Sequence, residues 1–262
     1  MSSTSVVNYS STGPVATITL NRPESLNAMN VELMNGISDA MNQVEADKDI
    51  RVMVITGSGR GFCAGADLSA QTQNDRSEEG VSGADDFNGA VQAIYDCSVP
   101  TVAKVNGPVA GGGVGLALAC DIVVAAKSAF ILATFGPRLG IVPDLGTTWS
   151  LPRRAGRARA LGMSLLGDRI SAEQAEGWGL IWKAVEDDEL DTEIDRITKT
   201  LSVTSSDAMT RIRQSIDAAS VNSFSEQLDL EMVHQGVLLP RNMQEGATAF
   251  MEKREPVFKG RE

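Results

Sequence analysis

The chain has 262 residues, with 23 Lys and Arg against 34 Asp and Glu and a formal net charge of −11. That length buries a sizeable core, as one large domain or a domain with an extension. The acidic balance and the lack of a basic stripe exclude a nucleic-acid footprint and disfavour anionic membrane surfaces. The three cysteines, Cys63, Cys97 and Cys120, show no Cys-x-x-Cys spacing, and an odd number cannot all pair within the chain. They read as reduced, mostly buried thiols of a cytosol-like compartment. With one histidine, His234, there is neither a zinc ligand set nor a Ser–His pair at a recognisable spacing, so no metal is expected. Residues 1–5 are polar and no apolar run approaches ~18 residues, so a cytoplasmic location and no membrane span are expected.

Residues 15–20 alternate and read as a strand with one wet face. A loop over 21–27 leads to Asn30, a plausible cap for a helix carrying Leu33, Met34, Ile37, Met41 and Val44 at helical spacing. A short apolar strand at 52–56 ends in Gly57-Ser-Gly59, and a turn of small residues, Gly61 to Leu68, follows. Residues 69–83 are polar and acidic with no periodic face, either a solvated excursion or a lid over substrate. A helix at 84–96, a strand at 101–105, a glycine turn with its helix, and strands at 121–126 and 130–133 complete an α/β pattern. Strand, glycine turn and helix recur near Val52 and near Val102, which hints at a repeated β-β-α unit.

From Leu145 onward the chain reads as mostly helical. Ser171-Ala-Glu-Gln174 is a capping-box start, and a short strand ends near Val185. Helices are expected at 189–201, 206–219, 225–237 and 244–254. No linker separates this tail, so we divide the chain into a core over 1–200 and a C-terminal helical region over 201–262, packed on the core or on a neighbouring subunit.

Three short segments carry the chemistry. Gly111-Gly-Gly113, at a strand-to-helix turn, serves either tight packing or close approach of a ligand to bare backbone N–H groups. Phosphate-loop patterns are absent. Ala64-Gly-Ala-Asp67 is a second small-residue turn after a strand. Two such turns can aim N–H groups at one acceptor, as an oxyanion hole requires. Asp144, in Gly140-Ile-Val-Pro-Asp-Leu-Gly146, reads either as a helix N-cap or as the single acid of the site. Together these features suggest enolate chemistry on an acyl group.

The motifs Gly-Phe-Cys-Ala-Gly-Ala-Asp-Leu (61–68) and Asn-Gly-x-x-x-Gly-Gly-Gly-x-x-Leu-Ala-x-x-Cys-Asp (106–121) resemble those of the crotonase, or enoyl-CoA hydratase/isomerase, superfamily. The likeness runs from Leu20-Asn-Arg-Pro23 to Phe250-Met-Glu-Lys-Arg254. The resemblance implies an α/β fold, a spiral of β-β-α repeats with a C-terminal helical trimerisation region, assembled as a homotrimer or dimer of trimers. It implies an acyl-CoA substrate, no metal and no redox cofactor, coenzyme A being part of the substrate. By the same resemblance the N–H groups of Ala66 and Gly112 form the oxyanion hole. Arg22, Ser25, Leu26, Ala64, Asp67 and Leu68 match the loops around the CoA nucleotide. Phe250 and Lys253 match a pair that contacts CoA of a neighbouring subunit, Arg22 and Lys253 supplying local cations.

Two glutamates typical of the hydratases are replaced here by Gly115 and Gly136, which argues against ordinary hydration. Asp144 matches an acid used by several isomerases and a dehalogenase of the superfamily. The expected activity is therefore a 3-enoyl- to 2-enoyl-CoA double-bond shift with Asp144 as acid/base, its pKa raised by an apolar wall for which Phe135, Leu139 and Trp149 are candidates. Within the superfamily, residues 139–144, 151–159, 165–167 and 171–182 look most like the phenylacetate-pathway ring-epoxide isomerase group. Ring-epoxide isomerisation, dehalogenation and residual hydration are the alternative reactions. A non-catalytic CoA- or RNA-binding homologue is the alternative of another class.

Overall fold

The computed structural model describes residues 5–68 and 82–258. Its main sheet has six strands in the order β1-β2-β3-β4-β6-β9. These are β1 (Val7–Thr12), β2 (Val15–Leu20), β3 (Val52–Gly57), β4 (Thr101–Val105), β6 (Ile122–Ala126) and β9 (Lys183–Val185). Only β1, which the sequence reading did not name, runs antiparallel to its neighbour. A second sheet joins β5 (Val109–Ala110), β7 (Phe130–Leu132) and β8 (Ile170–Ser171).

The parallel strands are buried on both faces, which explains their near-continuous apolar runs. Met53, Ile55, Ala103, Val105, Val123 and Ala125 face the main core, while Val52, Val54, Val102, Val124 and Ala126 face the opposite layer. On the main-core side lies α1 (Val31–Ala46), whose apolar stripe at Leu33, Met34, Ile37, Met41 and Val44 is fully buried. The Asn30 side chain accepts the Leu33 N–H at 2.9 Å, the cap that the sequence suggested. Packed against α1 is α2 (Ser82–Tyr95), and the short α3 (Gly112–Leu118) is buried along its whole length. The expected excursion at 69–83 falls mostly outside the described residues; its last two positions begin α2.

After β7 come α4 (Phe135–Leu139), α5 (Thr147–Ala155), α6 (Arg157–Leu166) and α7 (Ala172–Gly177). Ser171 caps α7 by accepting the Gln174 N–H at 3.1 Å. The opposite face of the sheet is covered by α8 (Leu190–Ser202), through Leu190, Ile194 and Ile197. Beyond it come α9 (Ser206–Ala218) and α10 (Phe224–Glu252). The two helices expected at 225–237 and 244–254 are one 29-residue helix, α10, that runs through Pro240. Proline removes one helical N–H and crowds the carbonyl four residues earlier. That residue is Gly236. His234, buried on α10, meets the Ser215 hydroxyl of α9 at 2.9 Å, a packing contact between helices.

All three cysteines are free and buried. Burial pushes the Cys63 and Cys97 thiols up to about 12, and Cys120 shifts in the same direction, so none is poised as a thiolate nucleophile.

Candidate active site

The site lies at the carboxyl ends of β3 and β4, neighbours in the sheet, where the two small-residue turns leave the strands side by side. Asn106 stitches them together. Its side-chain oxygen accepts the Gly57 N–H at 3.2 Å, and its amide donates to the Gly59 carbonyl at 3.0 Å. Asn27, fully buried and with φ of +58°, does the same from the loop after β2, donating to the Ser58 and Gly61 carbonyls. Neither asparagine was assigned a role from sequence. A polar residue inside a strand-end loop gives no periodic signal of burial.

Gly65 has φ of +91°, and a Cβ there would lie 2.8 Å from the Ala110 carbonyl oxygen and 3.3 Å from the Gly112 nitrogen. Only glycine lets the two backbones approach so closely. Around Ala66 the chain pairs with Met29: the Met29 N–H donates to the Gly65 carbonyl at 2.7 Å, and the Asp67 N–H donates to the Met29 carbonyl at 2.8 Å. This pattern turns the Ala66 N–H away from Met29, and Ala66 itself is exposed. Gly112 is the first residue of α3, where helical geometry offers its N–H no partner. Neither N–H donates to any of the described residues. Two unspent donors thus stand on adjoining turns.

Asp144 stands beside them: its Oδ1 is 3.6 Å from where a Cβ on Gly112 would be. Its position comes from a strained turn in which Leu145 has φ of +51° and Gly146 +75°. A left-handed non-glycine residue costs about 1–2 kcal/mol, here offset by burying the Leu145 side chain in the core. Helix α5 begins at Thr147 with Gly146 as its N-cap and no side-chain cap. The Asp144 carboxylate is therefore not consumed in capping. Protein atoms crowding the carboxyl raise its pKa above the usual range, although the residue keeps access to solvent. Of the expected apolar wall, Phe135 is buried in the core, while Leu139 and Trp149 are partly exposed. The side-chain ends of Met29 and Leu145 close on Gly112.

The two missing glutamates are explained sterically. A Cβ on Gly115 would lie 2.2 Å from the Leu145 carbonyl oxygen, and one on Gly136 2.9 Å from the Ser164 carbonyl oxygen. A second carboxylate cannot be restored by one substitution. Overpacking costs about 1–3 kcal/mol, and an unpaired buried carboxylate adds to it. Gly115→Glu is accordingly expected to lower Tm without creating hydration of crotonyl-CoA, as checked by thermal melting and loss of enoyl absorbance.

Arg22 and Asp67, both expected at the nucleotide loops, are ion-paired to each other at 2.8 Å with most of each side chain buried. The second guanidinium nitrogen of Arg22 donates to the Ala28 carbonyl. The pair therefore ties the loop after β2 to the Ala66 turn. Ser25 donates to the Arg22 carbonyl, the Ala64 N–H donates to the Leu26 carbonyl, and Leu68 is exposed at the rim. Hydrogen bonds to charged groups are worth about 1.5–3 kcal/mol. Arg22→Met is expected to cost about that much stability and to lower kcat more than it raises KM. Thermal melts and steady-state kinetics check both.

Phe250 is exposed near the end of α10, and Lys253 is that helix's left-handed C-cap. The cavity that Phe250 lines shares no residue with the Ala66 or Gly112 turns. Within one chain the structure does not bring these two residues to the site. A different cavity, of about 480 Å³, has Gly115 of α3, Val91, Trp149 and the two residues that follow Asp144, Leu145 and Gly146, in its wall. Among the described residues no cluster of three or more His, Cys, Asp or Glu is placed to hold a metal ion, and no helix is long and apolar enough to cross a membrane.

Backbone donors on two adjoining turns with an acid beside them are the kind of arrangement an oxyanion hole requires. Comparison with known proteins shows the family. Residues 10–261 match the enoyl-CoA hydratase/isomerase family. The chain is 42% identical to a 1,2-epoxyphenylacetyl-CoA isomerase of Escherichia coli, over 94% of this chain and 95% of that protein. It is 40% identical to a probable enoyl-CoA hydratase of Rhodobacter capsulatus, over 97% and 98%. Among solved structures, an enoyl-CoA hydratase from Polaromonas superposes with a TM-score of 0.89 at 33% identity, covering 97% of this chain and 99% of that one. One from Bacillus anthracis gives 0.90 at 30%, covering 98% and 100%. The chain belongs to the enoyl-CoA hydratase/isomerase family and has the crotonase fold. It is an enzyme of that superfamily, whose shared class of activity is acyl-CoA hydration or isomerisation.

Proposed function

We propose that the protein is an isomerase that shifts the double bond of a 3-enoyl-CoA to the 2-position. The observation that carries this reading is, among the described residues, a single uncapped carboxyl, Asp144, next to the free N–H of Gly112, with backbone crowding both positions where the hydratases carry glutamate. Hydration requires water to be activated and a proton delivered, commonly by two groups, whereas a 1,3-proton shift needs one. The Ala66 and Gly112 N–H groups bind the thioester oxygen. Asp144 takes a proton from C2, and the pair left behind is delocalised as a dienolate whose oxygen carries the charge between the two donors. The protonated acid returns the proton at C4. The C3–C4 π pair forms the new C–H bond, the double bond settles between C2 and C3, and the oxyanion collapses to the carbonyl.

Ring-epoxide isomerisation is the second reading, favoured by the 42% identity to the Escherichia coli protein. It uses the same donors on a ring-bearing acyl group. We further propose a trimer or dimer of trimers. Such an assembly covers the apolar residues that α10 leaves exposed, among them Phe224, Met232, Val233 and Met243, and brings Phe250 and Lys253 to a neighbour's CoA. Incubation with a trans-3-enoyl-CoA and, separately, with crotonyl-CoA tests the main reading. Formation of the 2-enoyl thioester with negligible hydration is expected, and rapid hydration without isomerisation overturns it. Turnover of the ring epoxide alone selects the second reading.

A further inference from the structure

Two cavities meet at one pair of aromatic rings. The first is the cavity of about 480 Å³ lined by Gly115 of α3 and by Leu145 and Gly146, the two residues after Asp144. The second, of about 600 Å³, lies between the core and α9, with Leu118, Arg154, Met209, Ile212 and Arg213 in its wall. The two share Tyr95, Ala119 and Trp149. Tyr95 of α2 and Trp149 of α5 stand edge to face, with ring centroids 5.4 Å apart and planes at 83°.

Each ring is held in place from outside the first cavity. The Tyr95 hydroxyl donates to the Asp217 carboxylate of α9 at 3.1 Å. The Arg153 guanidinium lies 4.0 Å above the Trp149 ring, an attraction of cation to π face. Edge-to-face pairs are themselves favourable, so the two rings hold a fixed arrangement. The third shared residue, Ala119, contributes only a methyl group. It lies seven positions beyond Gly112, about 10 Å along the chain at helical rise.

We infer that the Tyr95–Trp149 pair is the stop that ends the acyl cavity and makes the enzyme selective for compact acyl groups, short chains or single rings. The chamber beneath α9 stays closed to substrate while both rings are present. This inference rests on the reading of the Asp144 site as an acyl-CoA site. A space of about 480 Å³ is within the usual size of a small-molecule pocket. Closed at its far end, it accepts a ring or a short chain and rejects a long one. Removal of one ring merges the cavities and gives a long chain somewhere to go.

The test is a ladder of saturated thioesters, which bind without reacting: butyryl-, hexanoyl-, phenylacetyl- and decanoyl-CoA. Their Kd values are measured by calorimetry on the wild type, Trp149→Ala and Trp149→Phe. One methylene in an apolar pocket is worth about 10–200-fold in discrimination. The wild type is expected to favour hexanoyl- and phenylacetyl-CoA over decanoyl-CoA by at least about 10-fold. Trp149→Ala should move the decanoyl-to-hexanoyl ratio by at least about 10-fold toward the long chain, and Trp149→Phe should restore the wild-type order. If Trp149→Ala does not fold, Tyr95→Leu opens the same partition from the other side. Equal binding of decanoyl-CoA to the wild type, or an unchanged ratio in the opened variant, overturns the stop. A parallel assay with 3-hexenoyl-CoA separates the two claims. A shifted ratio without isomerisation leaves the stop standing and the isomerase reading lost, and isomerisation with an unchanged ratio means the reverse. Absence of thioester binding removes both.

Discussion

Asp144→Asn should lower kcat for 3-enoyl-CoA isomerisation by about 10²–10⁴, the usual contribution of a positioned general acid–base, while saturated acyl-CoA binds as before. The substitution keeps the shape of the side chain and removes only its ability to accept and return a proton. Turnover and calorimetric Kd, taken together, separate loss of chemistry from loss of binding. The same residue is expected to set the pH profile. The base must be ionised to take the C2 proton, and crowding raises its pKa. The acid limb of kcat/KM is therefore expected above the ordinary carboxylate range. Stability moves the other way. The folded chain holds this proton more tightly than the unfolded one, so unfolding becomes easier as pH rises from the ordinary carboxylate pKa through the raised one. Asp144→Asn escapes that cost. It should melt higher than the wild type at pH 7, and the gap should close on acidification below the ordinary range.

Replacing the Gly65–Ala66 amide by an ester should cost about 10²–10³ in kcat, the typical price of one oxyanion-hole donor. The ester keeps the Ala66 methyl and deletes only the N–H, which donates to none of the described residues. The structural bonds on either side, Met29 N–H to the Gly65 carbonyl and Asp67 N–H to the Met29 carbonyl, keep their donors. The Gly65 carbonyl becomes a weaker acceptor, so a small fall in Tm is expected as well. The kinetic signature is specific: a donor that acts on the developing oxyanion lowers kcat with little change in KM. A rise in KM at constant kcat would assign the Ala66 N–H to ground-state binding instead.

Much of the scaffold could be read from residue pattern. The period of Leu33, Met34, Ile37, Met41 and Val44 defined α1 because one helical stripe must meet the sheet. The apolar runs at 52–56 and 101–105 defined β3 and β4 because parallel strands are buried on both faces. Pattern failed where local chemistry was overridden. The stretch between 237 and 244 read as a gap between two helices, but α10 passes through it and through Pro240. Strand β1, with only Val7 buried, is held by its ladder to β2 rather than by an apolar face of its own.

The site divides in the same way. By itself, the sequence determined the ingredients: glycines at two strand ends, a lone acid at Asp144, glycine in place of both glutamates, and buried unpaired cysteines. These are properties of residue type and spacing, which the chain carries before it folds. Tertiary structure alone decided how the ingredients are placed. It placed the Asp144 carboxyl beside Gly112 through the left-handed turn at Leu145, and it filled the Gly115 position with the Leu145 carbonyl. It also paired Arg22 with Asp67, and set Tyr95 against Trp149, 54 positions away in the chain, between two cavities. Each of these depends on contacts between segments remote in sequence. Such contacts form only when the sheet has brought strand ends together and the core has closed around them, so no local periodicity records them.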